Sequence, residues 1–119
     1  MSEECYRESS NISEVEKAKS FISNNHLEIE KESEKLALLS NSVRLKIVLL
    51  LKNFNKLCVC DIGEILEVNQ SAISQHLRKL KDGGILNKSR EGLTIYYFID
   101  EGNNPDLIGL LEKIFLFKE

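Results

Sequence analysis

Apolar residues return at helical spacing along most of the chain, with one interval where β-branched and aromatic residues gather instead. Residues 11–22 (NISEVEKAKSFI) and 28–39 (EIEKESEKLALL) combine strong helix formers with apolar positions at helical spacing and hold neither Gly nor Pro, which predicts two helices. The next run, SVRLKIVLLLKN, is apolar almost all round, the pattern of a buried helix, with Ser42 as its expected N-cap. After a break at Phe54-Asn55-Lys56, a short helix is expected through DIGEILE (61–67) and a turn at Val68-Asn69. A further helix follows over QSAISQHLRKLKD (70–82), stopped by Gly83-Gly84. ILNKSR (85–90) and LTIYYFI (93–99), joined at Glu91-Gly92, predict a β-hairpin. Pro105 opens a last helix over 106–117. The expected fold is mainly α with a small β-hairpin, in the order α-α-α-α-α-β-β-α. Residues 1–10 are expected to form a flexible arm and 11–119 a single domain with dimer-forming N- and C-terminal helices.

A helix–turn–helix followed by a hairpin is the winged helix–turn–helix arrangement, whose second helix enters a DNA major groove. In 70–82 the apolar residues Ala72, Ile73, Leu77 and Leu80 can face a core, which leaves Gln70, Ser71, Ser74, Gln75 and Arg78 on the other side. Hydroxyls, amides and a guanidinium at the front of a helix suit phosphates and base edges, and none of them is a carboxylate that DNA would repel. Lys88 and Arg90 lie near the tip of the hairpin. Each feature alone describes a wet surface; their joint order and short connections point to double-stranded DNA.

The formal net charge of -3 argues against that partner until its distribution is considered. Residues 1–34 carry four basic and nine acidic side chains, whereas 35–95 carry ten basic and five acidic. Binding to a phosphate backbone depends on the local patch, and the middle of the chain is cationic. At 119 residues, 42% hydrophobic and 29% charged, the composition is that of one globular domain. No apolar run reaches transmembrane length and MSEECYRESS is not a secretory signal, so a cytoplasmic location with no membrane partner is expected.

Three cysteines, an odd number, fit a disulfide framework badly in that compartment, and a metal, a redox reaction or packing is left for Cys58 and Cys60 in LCVCD. Val59 is the residue expected against the core. If the chain is extended there, or only beginning its helix, Cys58 and Cys60 both point away from that core and form a chelating pair. In a continuous helix, residues two apart would diverge by about 200°.

The segments N-S-V-R-L-K-I, L-C-V-C-D-I-G-E-I-L, Q-S-A-I-S-Q-H-L-R-K-L-K-D-G-G-I-L and R-E-G-L-T-I-Y-Y-F, from Ser42 to Ile99, strongly resemble the ArsR/SmtB family of dimeric bacterial metal-sensing repressors. Ser74, His76, Leu77 and Leu80 match the family's S-x-H-L-x-x-L core, which adds His76 to the candidate DNA-binding residues. C-V-C-D marks the branches that sense arsenite and cadmium or lead. The resemblance implies a homodimer that holds operator DNA when metal-free and releases it when a thiophilic ion binds Cys58 and Cys60.

In the cadmium- and lead-sensing branch, cysteines of one protomer's arm complete the site on the other. Here Cys5 is the only arm cysteine. Three sulfurs would make a trigonal site for arsenite, antimonite, bismuth, lead or mercury. Cadmium or zinc would need a further ligand from water, Glu4, Glu8 or His26. A second family site, built from Asp and His on the last helix, lacks its histidine: only Asp106, Glu112 and Glu119 could serve. That helix's apolar residues, among them Leu107, Leu110, Leu111 and Ile114, are expected at the dimer interface, and no protein partner other than a second copy is implied.

A thiol-based redox or persulfide-responsive repressor is the alternative reading of the same cysteines. The chain has no Gly-rich phosphate loop, no paired acids on a clear scaffold and only two histidines, His26 and His76, neither in a catalytic motif, so an enzyme is not expected.

Overall fold

The computed structural model describes residues 12–115. The arm of residues 1–10, with Glu4, Cys5 and Glu8, lies outside them, as does Glu119. The chain divides into two units, residues 1–32 and 33–119. In the first, α1 (Ile12–Asn24) leads into the start of α2 (His26–Leu39) through Asn25, whose side-chain amide donates to the Phe21 carbonyl at 2.8 Å. No residue of α1 is buried, and Val15, Ala18 and Ile22 line an open apolar strip along it.

The second unit begins within α2 and continues through α3 (Ser42–Phe54), β1 (Lys56–Cys58), α4 (Val59–Leu66), α5 (Gln70–Asp82), β2 (Leu86–Glu91), β3 (Thr94–Ile99) and α6 (Leu107–Ile114), with a 3-10 turn at Glu101–Asn103. This is the expected mainly α winged helix–turn–helix class, with one addition. The hairpin β2–β3 is joined by β1 in an antiparallel sheet of order β1-β3-β2.

The core draws on nearly every one of these elements. Ile47, Val48 and Leu51 of α3 meet Ile62 of α4 and Ile73, Leu77 and Leu80 of α5, and Ile85, Leu86, Ile99 and Leu111 close it. The α3 pattern therefore reads correctly as a buried helix. Its N-cap, however, is Asn41 and not Ser42: the Asn41 carboxamide oxygen accepts from the amides of Val43 at 3.0 Å and Arg44 at 3.1 Å. Both residue types cap well, and the one whose backbone is still extended takes the role.

Between α4 and α5 the chain turns at Glu67, a left-handed residue (φ 56°), and Asn69 caps α5 by accepting from the Ala72 amide at 2.8 Å. Gly63 allows a close approach here, since a Cβ on it would stand 3.0 Å from the Val68 carbonyl oxygen. At the far end of α5, Gly83 lies against Leu38 and Gly84 adopts φ 81°. The Gly84 carbonyl accepts from the side-chain amides of Asn103 and Asn104, each at 2.8 Å, and buried Lys35 of α2 donates to the Asn103 carbonyl at 2.8 Å. The α5 helix is thus fixed at both ends before anything binds to it.

Candidate nucleic-acid interface and thiol site

Apolar residues at 73, 77 and 80 bury one face of α5 completely. The opposite face presents Gln70, Ser71, Ser74, Gln75 and Arg78, all exposed, as expected from the sequence. Lys79, also exposed, adds a cation in the last turn. His76 stands apart from that face. Half-buried, it brings Nδ1 to within 3.4 Å of the Arg44 guanidinium, whose Nε donates to the Leu38 carbonyl at 2.8 Å. A guanidinium only donates, so Nδ1 accepts and the imidazole proton resides on Nε2. Burial first, then the charges of Arg44 and Lys79, lowers the His76 pKa from its ordinary 6.5. His76 is therefore a neutral brace between α3 and α5 with one N–H to offer, not a cation. Nothing in the local sequence pattern marks Arg44, 32 residues earlier, as its partner.

The wing follows from strict strand pairing. Register pairs Leu86 with Ile99, Lys88 with Tyr97, Arg90 with Ile95 and Glu91 with Thr94, leaving Gly92 and Leu93 as a two-residue turn one position later than expected. Gly92 has φ 63° and Leu93 does not share the positive φ, which matches a type II′ turn. Because facing residues share a sheet face, Lys88 and Arg90 lie on the face that Leu86 and Ile99 turn toward the core, but beyond it and exposed. Arg90 Nε donates to the Gly92 carbonyl at 3.1 Å, which orders the guanidinium beside the turn.

The thiols sit where β1 ends and α4 begins. β1 pairs Lys56 with Phe98, Leu57 with Tyr97 and Cys58 with Tyr96. Leu57 and Tyr97 pack on the core, which places Lys56, Cys58, Tyr96 and Phe98 on the outer face of the sheet. Cys58 is the N-cap of α4 in an extended conformation, and its side chain makes no capping hydrogen bond. Helix α4 starts at Val59, two residues earlier than expected, and Val59 packs against the core while Cys60 is exposed in the first turn. The pair thus straddles a strand end and a helix start, so the divergence of a continuous helix does not apply to it. Both thiols are unbridged. Among the described residues no group of three or more His, Cys, Asp or Glu side chains comes together in metal-binding proximity.

Of the residues expected at a dimer interface, Leu111 is buried in this chain's own core and Leu107 packs against it, whereas Leu110 and Ile114 remain exposed. An apolar stripe on a short helix does not by itself distinguish the two destinations. Among the described residues no helix is long and apolar enough to cross a membrane.

A recognition helix capped at its start, a hairpin wing bearing basic residues and an α3 brace define a winged helix–turn–helix regulator. Residues 41–88 match the model of the bacterial regulatory proteins of the arsR family. The chain is 39% identical over 82 residues to the cadmium resistance transcriptional regulatory protein CadC of Listeria innocua, covering 69% of this chain and 66% of that one, just under two thirds. It is 36% identical to the arsenical resistance operon repressor of Bacillus subtilis, over 71% of this chain and 78% of that protein. The transcriptional repressor PagR of Bacillus anthracis is 39% identical over 75% of this chain and 86% of its own length. Its crystal structure superposes with a TM-score of 0.67 at 36% identity, over 76% of this chain and 99% of PagR. The chain belongs to the ArsR family, a family of transcriptional regulators and not of enzymes.

Proposed function

We propose that this protein is a cytoplasmic, homodimeric repressor that holds operator DNA in its metal-free form and releases it when a thiophilic ion binds Cys58 and Cys60, with Cys5 as the third ligand. One observation carries the reading: two thiols flank a core-anchored Val59 at the junction of β1 and α4. Helix α4 packs directly on α5 through Ile62 and Ile73 in the shared core, so a pull on its first turn is felt by the recognition helix. Soft donors of this kind select thiophilic ions over magnesium, calcium or manganese. A coupling of about 1–3 kcal/mol between the thiols and the DNA is enough to change operator occupancy several-fold or more. The names of the cadmium and arsenical relatives support an ion of this class. Arsenite, antimonite, lead, mercury, bismuth and cadmium are the candidates.

Gln70, Ser71, Ser74, Gln75 and Arg78 meet the major groove in this reading, His76 offers its Nε2–H, and Lys88 and Arg90 reach flanking phosphates. Exposed Leu110 and Ile114 of α6 and the apolar strip of α1 are the surfaces that pair two copies. The test is an anaerobic titration of the reduced protein, bound to its own upstream DNA, with each ion in turn. Fluorescence anisotropy and sulfur-to-metal absorption are followed together. Cys58→Ser and Cys60→Ser should each bind DNA normally and fail to release it; normal release by both variants defeats the mechanism. Exposure of Cys60 favours a second reading, a redox or persulfide switch, and release by oxidant with no response to any ion would put it first.

A further inference from the structure

Between Gly83 and Ile99, the span that holds the whole wing, Glu91 is the only carboxylate. It stands at the last position of β2, beside the turn, where a bare negative charge opposes the approach of Lys88 and Arg90 to phosphate. It is not bare. Lys56 of β1, 35 residues earlier, places Nζ 2.6 Å from Glu91 Oε1 and 2.7 Å from Oε2. The same ammonium lies 4.9 Å from the centre of the Tyr96 ring, the residue paired with Cys58. Two attractions, one to a carboxylate and one to an aromatic face, thus hold a single long side chain across the outer face of the sheet.

We propose that Lys56 is a positioning residue for DNA binding, which cancels the charge of Glu91 and fixes the wing tip so that its basic residues meet phosphate unopposed. The proposal rests on the DNA-binding reading given above. At about half exposure for each partner, the pair contributes little to folding stability; its effect is on the field at the wing. It also gives a role to a lysine on a strand of only three residues that otherwise serves to lead into α4: β1 pairs with β3 on the side opposite β2, and Lys56 reaches across β3 to the end of β2.

The experiment is a charge cycle in the full-length protein, measured by fluorescence anisotropy on a labelled duplex of its own upstream region at about 0.1 M salt, where charges within about 10 Å still interact. Lys56→Gln uncovers Glu91 and should weaken binding about three- to tenfold. Lys56→Arg should bind as the wild type does, Glu91→Gln should bind at least as tightly, and Lys56→Gln combined with Glu91→Gln should return to within about twofold of wild type. A double variant as weak as Lys56→Gln alone would mean that Lys56 touches phosphate directly, which overturns the clamp. Equal affinity in all four variants also overturns it, because the wing charge then plays no part. A wild-type protein that binds no duplex would instead remove the DNA-binding reading and this proposal with it.

Discussion

Replacing Cys58 by serine should make the metal-free protein more stable. Cys58 occupies the N-cap of α4 at φ -94° and ψ 167°, the extended geometry from which a side-chain oxygen reaches the amides of the first turn, yet its thiol makes no such bond. Sulfur is a weak acceptor, so the position behaves nearly as an uncapped one. A serine there, followed by Asp61 three residues on, supplies a capping pattern. Good N-caps are worth about 1 kcal/mol over non-capping residues. Exchanging a half-buried sulfur for oxygen returns a few tenths of that. The net gain is about 0.5–1 kcal/mol, or roughly 2–6 °C in Tm for a domain of this size.

Thermal melting followed by circular dichroism, with reductant and chelator present, checks it. Cys60→Ser is the internal control: Cys60 lies inside the first turn and is exposed, so its melting temperature should stay within about 1 °C of wild type. With lead or arsenite added at about a hundredfold excess over Kd, binding stabilises only the protein that retains both thiols, by about 2.7 kcal/mol, and wild type should overtake Cys58→Ser. A Cys58→Ser protein that melts at or below wild type without metal refutes the capping argument, and an equal gain for Cys60→Ser refutes its assignment to position 58.

Three further outcomes follow from the same structure. Gly83→Ala drives a Cβ into Leu38 and to 3.2 Å from the Lys79 carbonyl, and should cost about 1–3 kcal/mol in urea denaturation. Glu67→Gly relieves a left-handed residue at the α4–α5 turn (φ 56°) and should gain about 0.5–1 kcal/mol in the same assay. His76 has its pKa lowered by burial, Arg44 and Lys79, so the unfolded chain binds the proton more readily than the folded one. Its contribution is therefore fully present above the unfolded pKa and is lost as pH falls from about 6.5 through the lowered folded value. The melting temperature should drop over that window, and His76→Asn, which keeps an acceptor toward Arg44, should flatten the drop.

The helices were legible because their apolar positions are dense enough to fix a period: α3 and α5 come out within a residue or two of their ends. β1 was not, because Lys-Leu-Cys is too short to show alternation and becomes a strand only by pairing with Tyr96 to Phe98, some forty residues on. Missing that strand also hid Lys56, whose partner Glu91 is equally distant in sequence. His76 enters the DNA-binding set only through the family's S-x-H-L-x-x-L pattern, while a residue that sets its state, Arg44, lies 32 positions away. The cysteine pair was readable since Val59 between them had to face inward. For Leu111 the pattern showed an apolar face but not whose core it enters.

β1 is an edge strand, bonded only to β3 and three residues long, and it ends in Cys58. Its amides belong to the low-cost end of the opening spectrum, since detaching them breaks a few ladder bonds and leaves the α3–α5 core intact. In the time domain, this makes the thiol junction the part of the sheet most often visited by solvent. For the thiol mechanism proposed above, reagents would reach the half-buried Cys58 through small local openings of the native protein and without the slow global unfolding of the domain.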